Sequence, residues 1–334
     1  MTMSNYRLPQ QLDTNEGQPR RVGVEIEMSA IELTMIVCQC QICFGGQIEE
    51  ISPYEFKIRD SAIGNLRVEL DYEYLKNVAR EKFEGPDDDS QYSSFEHFVS
   101  ESLATLSRNV VPCEVVGPPI EFSQLERFDE LVERLNRHGA QGTRHSTLAA
   151  FGVHLNPELP DLETATIVNY LKAFLCLQDW LIEQEKVNIT RKITPYIDRF
   201  PARYLRKLLD PQYAPDLRQL MDDYFADNPT RNRILDMIPL FAWLDREHVE
   251  SKTDDNKLNR RPTLHYRLPN SEIDDPEWGL WSCWNRWLVV ESLANDSERL
   301  ADVCEAFQQH DQLSPPEQLI TPWKKKVTQW IDDR

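Results

Sequence analysis

Apolar and polar residues alternate along several stretches of this chain. The clearest case is residues 22–28, where Val22, Val24, Ile26 and Met28 are apolar and Gly23, Glu25 and Glu27 lie between them. A period of two predicts a β-strand whose two faces differ in character. The same alternation or a short β-branched run predicts further strands at residues 54–59, 66–74, 110–116, 149–156 and 262–268.

Helical periodicity is found between these strands and after them. The pattern predicts helices over residues 29–44, 95–108, 123–138, 161–187, 229–245, 278–293 and 296–310. Ser123 and Glu126 have the spacing of a capping box, and Gly139 follows the end of that helix. Asn228 as cap and Pro229 at the first helical position mark the start of the helix at 229–245. Tryptophans at 278, 281, 284 and 287 recur at helical spacing, which favours a core stripe.

The order of the elements predicts an α+β fold built on a mostly antiparallel sheet, because several strands are hairpin-like neighbours. A chain of 334 residues fits one large domain or two ordinary ones. We expect a loose leader at 1–17 and a single domain at 18–334. Within that domain we expect a helical insertion at 161–250 and C-terminal helices at 271–334.

Composition narrows the class of protein. The net charge of −19 argues against a large nucleic-acid interface, which needs a basic surface. No apolar run reaches the roughly 18 residues of a membrane span, and residues 1–17 are polar, so we expect a cytoplasmic protein. The seven scattered cysteines suggest reduced thiols. Cys38 and Cys40 would point about 200° apart on a helix, which disfavours a zinc cluster there.

The polar faces of the predicted strands share an unusual chemistry. Glu25 and Glu27 would lie about 7 Å apart on one face, and a cation between them would relieve their repulsion. Other strands offer carboxylate, imidazole, amide or guanidinium groups at Glu69, Asp71, Glu114, His154, Asn156, His265 and Arg267. Carboxylates with an occasional imidazole suit hard divalent cations, and an arginine suits phosphate or carboxylate. A solvated face is the alternative for any single strand.

Other catalytic motifs are weakly represented. The chain has no P-loop, no G-x-G-x-x-G turn and no G-x-S-x-G elbow. Cys113 and His154 could form a thiol–imidazole pair, but a cysteine beside Pro112 and a β-branched run favours a packed core position. A bound nucleotide would therefore be held by metal and sheet.

Five motifs occur in a characteristic order between residues 20 and 270. They are Gly23-Val24-Glu25-Ile26-Glu27, Val68-Glu69-Leu70-Asp71, Glu114-Val115-Val116-Gly117-Pro118-Pro119, Gly152-Val153-His154-Leu155-Asn156 and His265-Tyr266-Arg267. In this order the chain resembles the amidoligase family, within the glutamine synthetase and glutamate–cysteine ligase superfamily of carboxylate–amine ligases. The resemblance implies a curved, mostly antiparallel sheet of the glutamine synthetase catalytic type that holds ATP and two or three Mg²⁺ ions, with Mn²⁺ as an alternative.

The resemblance also implies roles for individual residues. Glu25, Glu27 and Glu114 would be metal ligands, His154 a metal or phosphate ligand, and His265 would occupy the third metal position. Arg267 would bind phosphate or the substrate carboxylate, and Asp71 would lie at the amine site. Asn156 and Arg191 would contact the nucleotide or the substrate.

The implied reaction joins an amino acid or short peptide with a free carboxylate to an amine through an acyl phosphate. Two residues depart from the family pattern, because Asn156 stands where a second histidine is typical and His265 where a glutamate is typical. Two alternatives therefore stay open at this point. One is a phosphotransferase acting on guanidino or amine groups on the same sheet, and the other is an inactive nucleotide- or metal-binding protein. The oligomeric state is left open.

Overall fold

A computed structural model describes residues 5–70, 112–144, 151–185, 198–253, 259–312 and 322–332. Within these ranges, alternating residues build a nine-stranded sheet. The strands are β1 (Arg21–Met28), β2 (Gln47–Ser52), β3 (Glu55–Ser61), β4 (Gly64–Leu70), β5 (Cys113–Val116), β6 (Ile120–Glu121), β7 (Val153–Pro157), β8 (Leu235–Asp236) and β9 (His265–Tyr266). The sheet order is β2-β3-β4-β5-β1-β7-β9-β8, with β6 paired to one end of β1.

Every pairing between these strands is antiparallel, which confirms the predicted mostly antiparallel sheet. The order is open, with β2 and β8 at its two ends. β1 is central and pairs with β5 on one side and β7 on the other, so the strand with the strictest alternation lies in the middle.

Ten helices are present in the described part of the chain. They are α1 (Leu33–Phe44), α2 (Asp129–Arg137), α3 (Thr164–Gln184), α4 (Ala202–Leu208), α5 (Leu217–Asp227), α6 (Ile238–Leu244), α7 (Arg246–Glu250), α8 (Leu280–Ala294), α9 (Ser297–Asp311) and α10 (Trp323–Asp332), and a 3₁₀ helix at Phe122–Phe128 precedes α2. Among the described residues, no helix is both long enough and apolar enough for a membrane crossing.

The apolar face of the sheet carries the hydrophobic core. Val22, Val24, Ile26 and Met28 of β1 are fully buried, and α3 and α8 supply much of the opposing surface. Two of the four tryptophans in the predicted stripe, Trp284 and Trp287, are fully buried in this core. Trp278 packs against the same core and is partly buried. The core covers one face of β1, and the opposite face carries Glu25 and Glu27.

A buried ion pair joins the start of β1 to α8. Both Arg20 and Glu291 are almost completely buried, and the Arg20 guanidinium binds the two Glu291 oxygens and the carbonyl oxygen of Glu158. The residues before β1 also contact the body of the protein, since Trp284 Nε1 donates to the Arg7 carbonyl at 2.8 Å. Arg21 is half exposed and pairs with Glu158 at the surface.

Three local sequence predictions are wrong. The predicted helix 229–245 is instead strand β8 followed by the short helix α6, because Leu235 pairs with Tyr266 and extends the sheet. The predicted capping box does not form, because residues 122–128 are a 3₁₀ helix and Ser123 Oγ is 3.4 Å from Glu121 Oε2. The helix predicted from residue 29 begins at Leu33, because Ser29 pairs with Gln141 and Ala30 has a φ of 62°.

Some predictions lie outside the described residues. They are the helix at 95–108, the strand residues 71–74, and the site residues Asp71 and Arg191.

Candidate functional site

The polar face of the sheet brings five predicted site residues from three strands together. Register places Glu114 of β5 opposite Glu27 of β1, and His154 of β7 opposite Glu25. Asn156 of β7 lies opposite Gly23. A Cβ added to Gly23 would lie 3.4 Å from Asn156 Nδ2. Antiparallel pairing therefore converts the sequence alternation into one contiguous polar surface.

Glu25 is a carboxylate of this surface that contacts several polar side chains. His154 Nδ1 lies 2.9 Å from Glu25 Oε2, and Asn156 Nδ2 donates to Glu25 Oε1 at 2.8 Å. Arg261 Nη1 donates to the same Oε1 atom, also at 2.8 Å. Glu25 is buried, so these contacts replace the water that an ionised carboxylate would otherwise need.

Glu27 and Glu114 form the other acidic part of the surface. Glu27 Oε2 accepts the Gly152 backbone N–H at 2.6 Å, and Glu27 Oε1 lies 3.5 Å from His154 Nε2. Glu114 is partly buried and lies directly across the strand pair from Glu27. One ligand atom from each of Glu27, Glu114 and His154 lies within 4.8 Å of the other two.

His265 lies between two carboxylates on the other side of His154. Its Nε2 is 3.8 Å from Glu25 Oε2 and its Nδ1 is 3.7 Å from Asp236 Oδ2, and its ring meets the His154 ring edge-on with centroids 5.2 Å apart. Both distances exceed hydrogen-bond length. In the described ranges, neither ring nitrogen of His265 has a hydrogen-bond partner.

Asp236 is fully buried opposite His265 in the β8–β9 pair. Its Oδ2 accepts Arg231 Nε at 3.2 Å, and its Oδ1 accepts the Ile238 N–H at 3.0 Å. Arg267 lies close by, and its Nη1 donates to the Arg231 carbonyl at 2.5 Å. Arg231 and Arg267 thus place two guanidinium groups near Asp236, and Arg261 places a third against Glu25.

The charges of this surface shift the pKa values of three groups. Burial alone would raise the pKa of Glu25, but the His154 contact and the Arg261 charge outweigh it and hold that pKa well below its ordinary value. Burial would likewise raise the pKa of Asp236, and the contacts with His265 and Arg231 lower it. Burial, followed by the positive charge of Arg261, lowers the pKa of His265 to about 3, so this ring is neutral near pH 7.

Three residues of this surface are absent from the sequence predictions. Arg261 belongs to the end of a polar stretch with no periodicity, so sequence alone gave no signal for it. Asp236 and Arg231 fell inside the wrongly predicted helix at 229–245. Because residues 229–245 were predicted to be a helix, Asp236 was not grouped with the alternating strands, and its carboxylate was missed.

A second group of ligand-type atoms comprises Glu25, His154 and His265, again within 4.8 Å of one another. The two groups share His154, whose Nδ1 faces Glu25 and whose Nε2 faces Glu27. The surface is therefore a row of potential ligands that ends in arginines, an arrangement suited to divalent cations and anionic substrates.

An antiparallel sheet with carboxylates, imidazoles and arginines on one face is an arrangement suited to an enzyme that handles charged small molecules. A model of the family described as "Putative amidoligase enzyme" matches residues 18–289, and the chain belongs to that family. The matched range contains every residue of the surface described above. No curated protein and no solved structure matches the chain.

Proposed function

We propose that this protein is an ATP- and Mg²⁺-dependent carboxylate–amine ligase that acts on an amino acid or a short peptide. The observation that carries the proposal is the row of Glu27, Glu114 and His154 on the same sheet face as Arg261 and Arg267. Family membership supports the reaction class. The row offers oxygen ligands at one end and guanidinium groups for phosphate or carboxylate at the other.

The residues present fit one hard divalent cation. Glu27, Glu114 and His154 supply two carboxylates and one imidazole, a donor set that Mg²⁺ accepts and that Mn²⁺ accepts readily. When bound there, the cation would neutralise phosphate charge. Glu27 keeps its orientation through the Gly152 N–H, so its position does not depend on the cation.

The proposed reaction has two displacement steps. An oxygen of the substrate carboxylate attacks the γ-phosphorus of ATP, and the bond from that phosphorus to the ADP oxygen breaks. The amine nitrogen of the second substrate then attacks the acyl carbon of the acyl phosphate, and inorganic phosphate leaves with the acyl C–O bond electrons. The amine loses one proton, and Asp71 remains the candidate acceptor by its position in the sequence motif.

Arg267 is held in a fixed orientation near the β8–β9 pair. Arg267 is tied to the Arg231 carbonyl through Nη1, which fixes the direction of its planar group. A fixed guanidinium binds a phosphate or carboxylate with two parallel hydrogen bonds, which a lysine cannot reproduce. Arg267 is therefore the proposed contact for transferred phosphate or substrate carboxylate.

A trapping experiment tests the proposal. The purified protein is incubated with ATP, Mg²⁺, hydroxylamine and each member of a panel of amino acids and dipeptides, and both ADP and hydroxamates are measured. We expect ADP release that depends on one class of carboxylate, with equimolar hydroxamate, because hydroxylamine replaces the amine. Glu27→Gln should abolish turnover, whereas the surface variant Arg134→Met should retain it.

Two outcomes would contradict the ligase assignment. A phosphorylated amine or guanidine without hydroxamate would identify a phosphotransferase. Nucleotide binding without ADP release across the whole panel would identify a binding protein.

A further inference from the structure

The surroundings of Glu25 do not match those of a metal ligand. Its two oxygens already meet three nitrogen atoms, from His154, Asn156 and Arg261, at 2.8 to 2.9 Å. The Arg261 guanidinium carries a full positive charge against the single negative charge of Glu25. A divalent cation placed here would have to displace that arginine or lie beside it.

The other members of the Glu25 group add no negative charge. His265 is buried beside Glu25 and His154, and its imidazole supplies no negative charge where a carboxylate would be needed to hold a second cation. The nearest further carboxylate, Asp236, is engaged by Arg231 and by the Ile238 N–H. One carboxylate, two imidazoles and a bound guanidinium make a nearly neutral set, which suits Mg²⁺ poorly.

His154 cannot serve both groups at once. A neutral imidazole has one N–H and one lone pair, and an ionised Glu25 accepts the N–H from Nδ1. The lone pair then lies on Nε2, on the side of Glu27. A carboxylate that orients a histidine in this way is the usual partner behind a metal-binding imidazole.

We propose that the Arg261 guanidinium replaces a second divalent cation in this site, so that the protein binds one such ion, at Glu27, Glu114 and His154. Glu25 is then a positioning residue that holds His154, Asn156 and Arg261. The inference rests on the metal dependence of the proposed function and departs from the two or three ions that the family resemblance implies. Arg261 Nε is buried and has no hydrogen-bond partner among the described residues.

A Mn²⁺ titration without nucleotide tests this inference on the intact protein. Free Mn²⁺ is followed by electron paramagnetic resonance, which gives the number of ions bound per chain independently of activity. We expect one ion for the wild type. Glu27→Gln should weaken its binding at least tenfold, whereas Glu25→Gln should still bind one ion, because the glutamine carbonyl can accept the His154 N–H.

A double variant examines the role of Arg261 directly. Arg261→Met combined with His265→Glu removes the guanidinium and supplies the missing carboxylate, and we expect two Mn²⁺ ions per chain. The matched control Arg134→Met removes an arginine from the outer side of α2, far from Glu25 in the fold, and should leave one ion. Circular dichroism confirms that each variant is folded before titration.

The possible outcomes separate this inference from the proposed function. Two ions bound to the wild type, or loss of the ion in folded Glu25→Gln, would overturn the inference that Arg261 takes the place of a second cation. Either result would leave the ligase proposal intact. No Mn²⁺ binding by the wild type at any concentration tested would refute both.

Discussion

Replacing Glu25 by glutamine should destabilise the metal-free protein, although Glu25 lies in an acidic surface. The carboxylate accepts hydrogen bonds from three side chains, and glutamine keeps one carbonyl oxygen while turning an N–H₂ group toward the remaining donors. Arg261 would lose its ion-pair partner, with its own side chain only 20% exposed. Breaking a pair at this depth costs about 3 kcal/mol, the lower end of the range for buried pairs.

The expected change in melting temperature follows from the size of the chain. At about 2.1 cal/mol/K per residue, 334 residues give an unfolding entropy of about 0.7 kcal/mol/K, so a loss of about 3 kcal/mol lowers the melting temperature by about 4 °C. Calorimetry in EDTA at pH 7.5 measures this shift in the absence of bound cations.

Glu27→Gln is the matched control for this measurement. Glu27 accepts one backbone N–H, from Gly152, which a glutamine carbonyl can also accept. Removing its charge relieves repulsion from Glu114, so we expect a melting temperature unchanged or raised by about 1 °C. Equal losses in the two variants, or a larger loss for Glu27→Gln, would refute the structural role assigned to Glu25.

Three further predictions concern other parts of the structure. Between pH 7.5 and 5 the wild type should lose about 2 kcal/mol more stability than His265→Asn, because an unfolded histidine gains its proton near pH 6.5 and buried His265 only near pH 3. Denaturant titrations at both pH values measure the two losses, and equal losses would contradict the prediction. Arg267→Lys should weaken ATP binding about tenfold in calorimetric titration, since the planar fork is lost; unchanged affinity would remove Arg267 from the phosphate site. Arg20→Met should lower the melting temperature by about 4 °C or more, because Glu291 would stay buried without its ion-pair partner. Arg21→Met, which removes a surface ion pair, should change the melting temperature by less than about 1 °C. Similar shifts in the two variants would contradict the assignment of the larger contribution to the buried pair.

The sequence by itself determined which residues lie on the polar faces of β1, β5 and β7. Alternation is a local property, since successive side chains of any strand point to opposite sides of the sheet. Glu25, Glu27, Glu114 and His154 could therefore be assigned to polar strand faces before any pairing was known. Alternation overestimated the length of a strand, because β9 covers only His265 and Tyr266 of the predicted residues 262–268.

Only the tertiary structure decided which polar residues contact one another. The partners of Glu25 are 129, 131 and 236 residues away in the chain, and strand register brings His154 rather than another side chain opposite it. Arg261 follows a polar stretch without periodicity, and Asp236 lies in a two-residue strand that exists because β9 pairs with it. The contrast between the Glu27–Glu114 carboxylate pair and the arginine-bound Glu25 depends on long-range pairing, which no local pattern encodes.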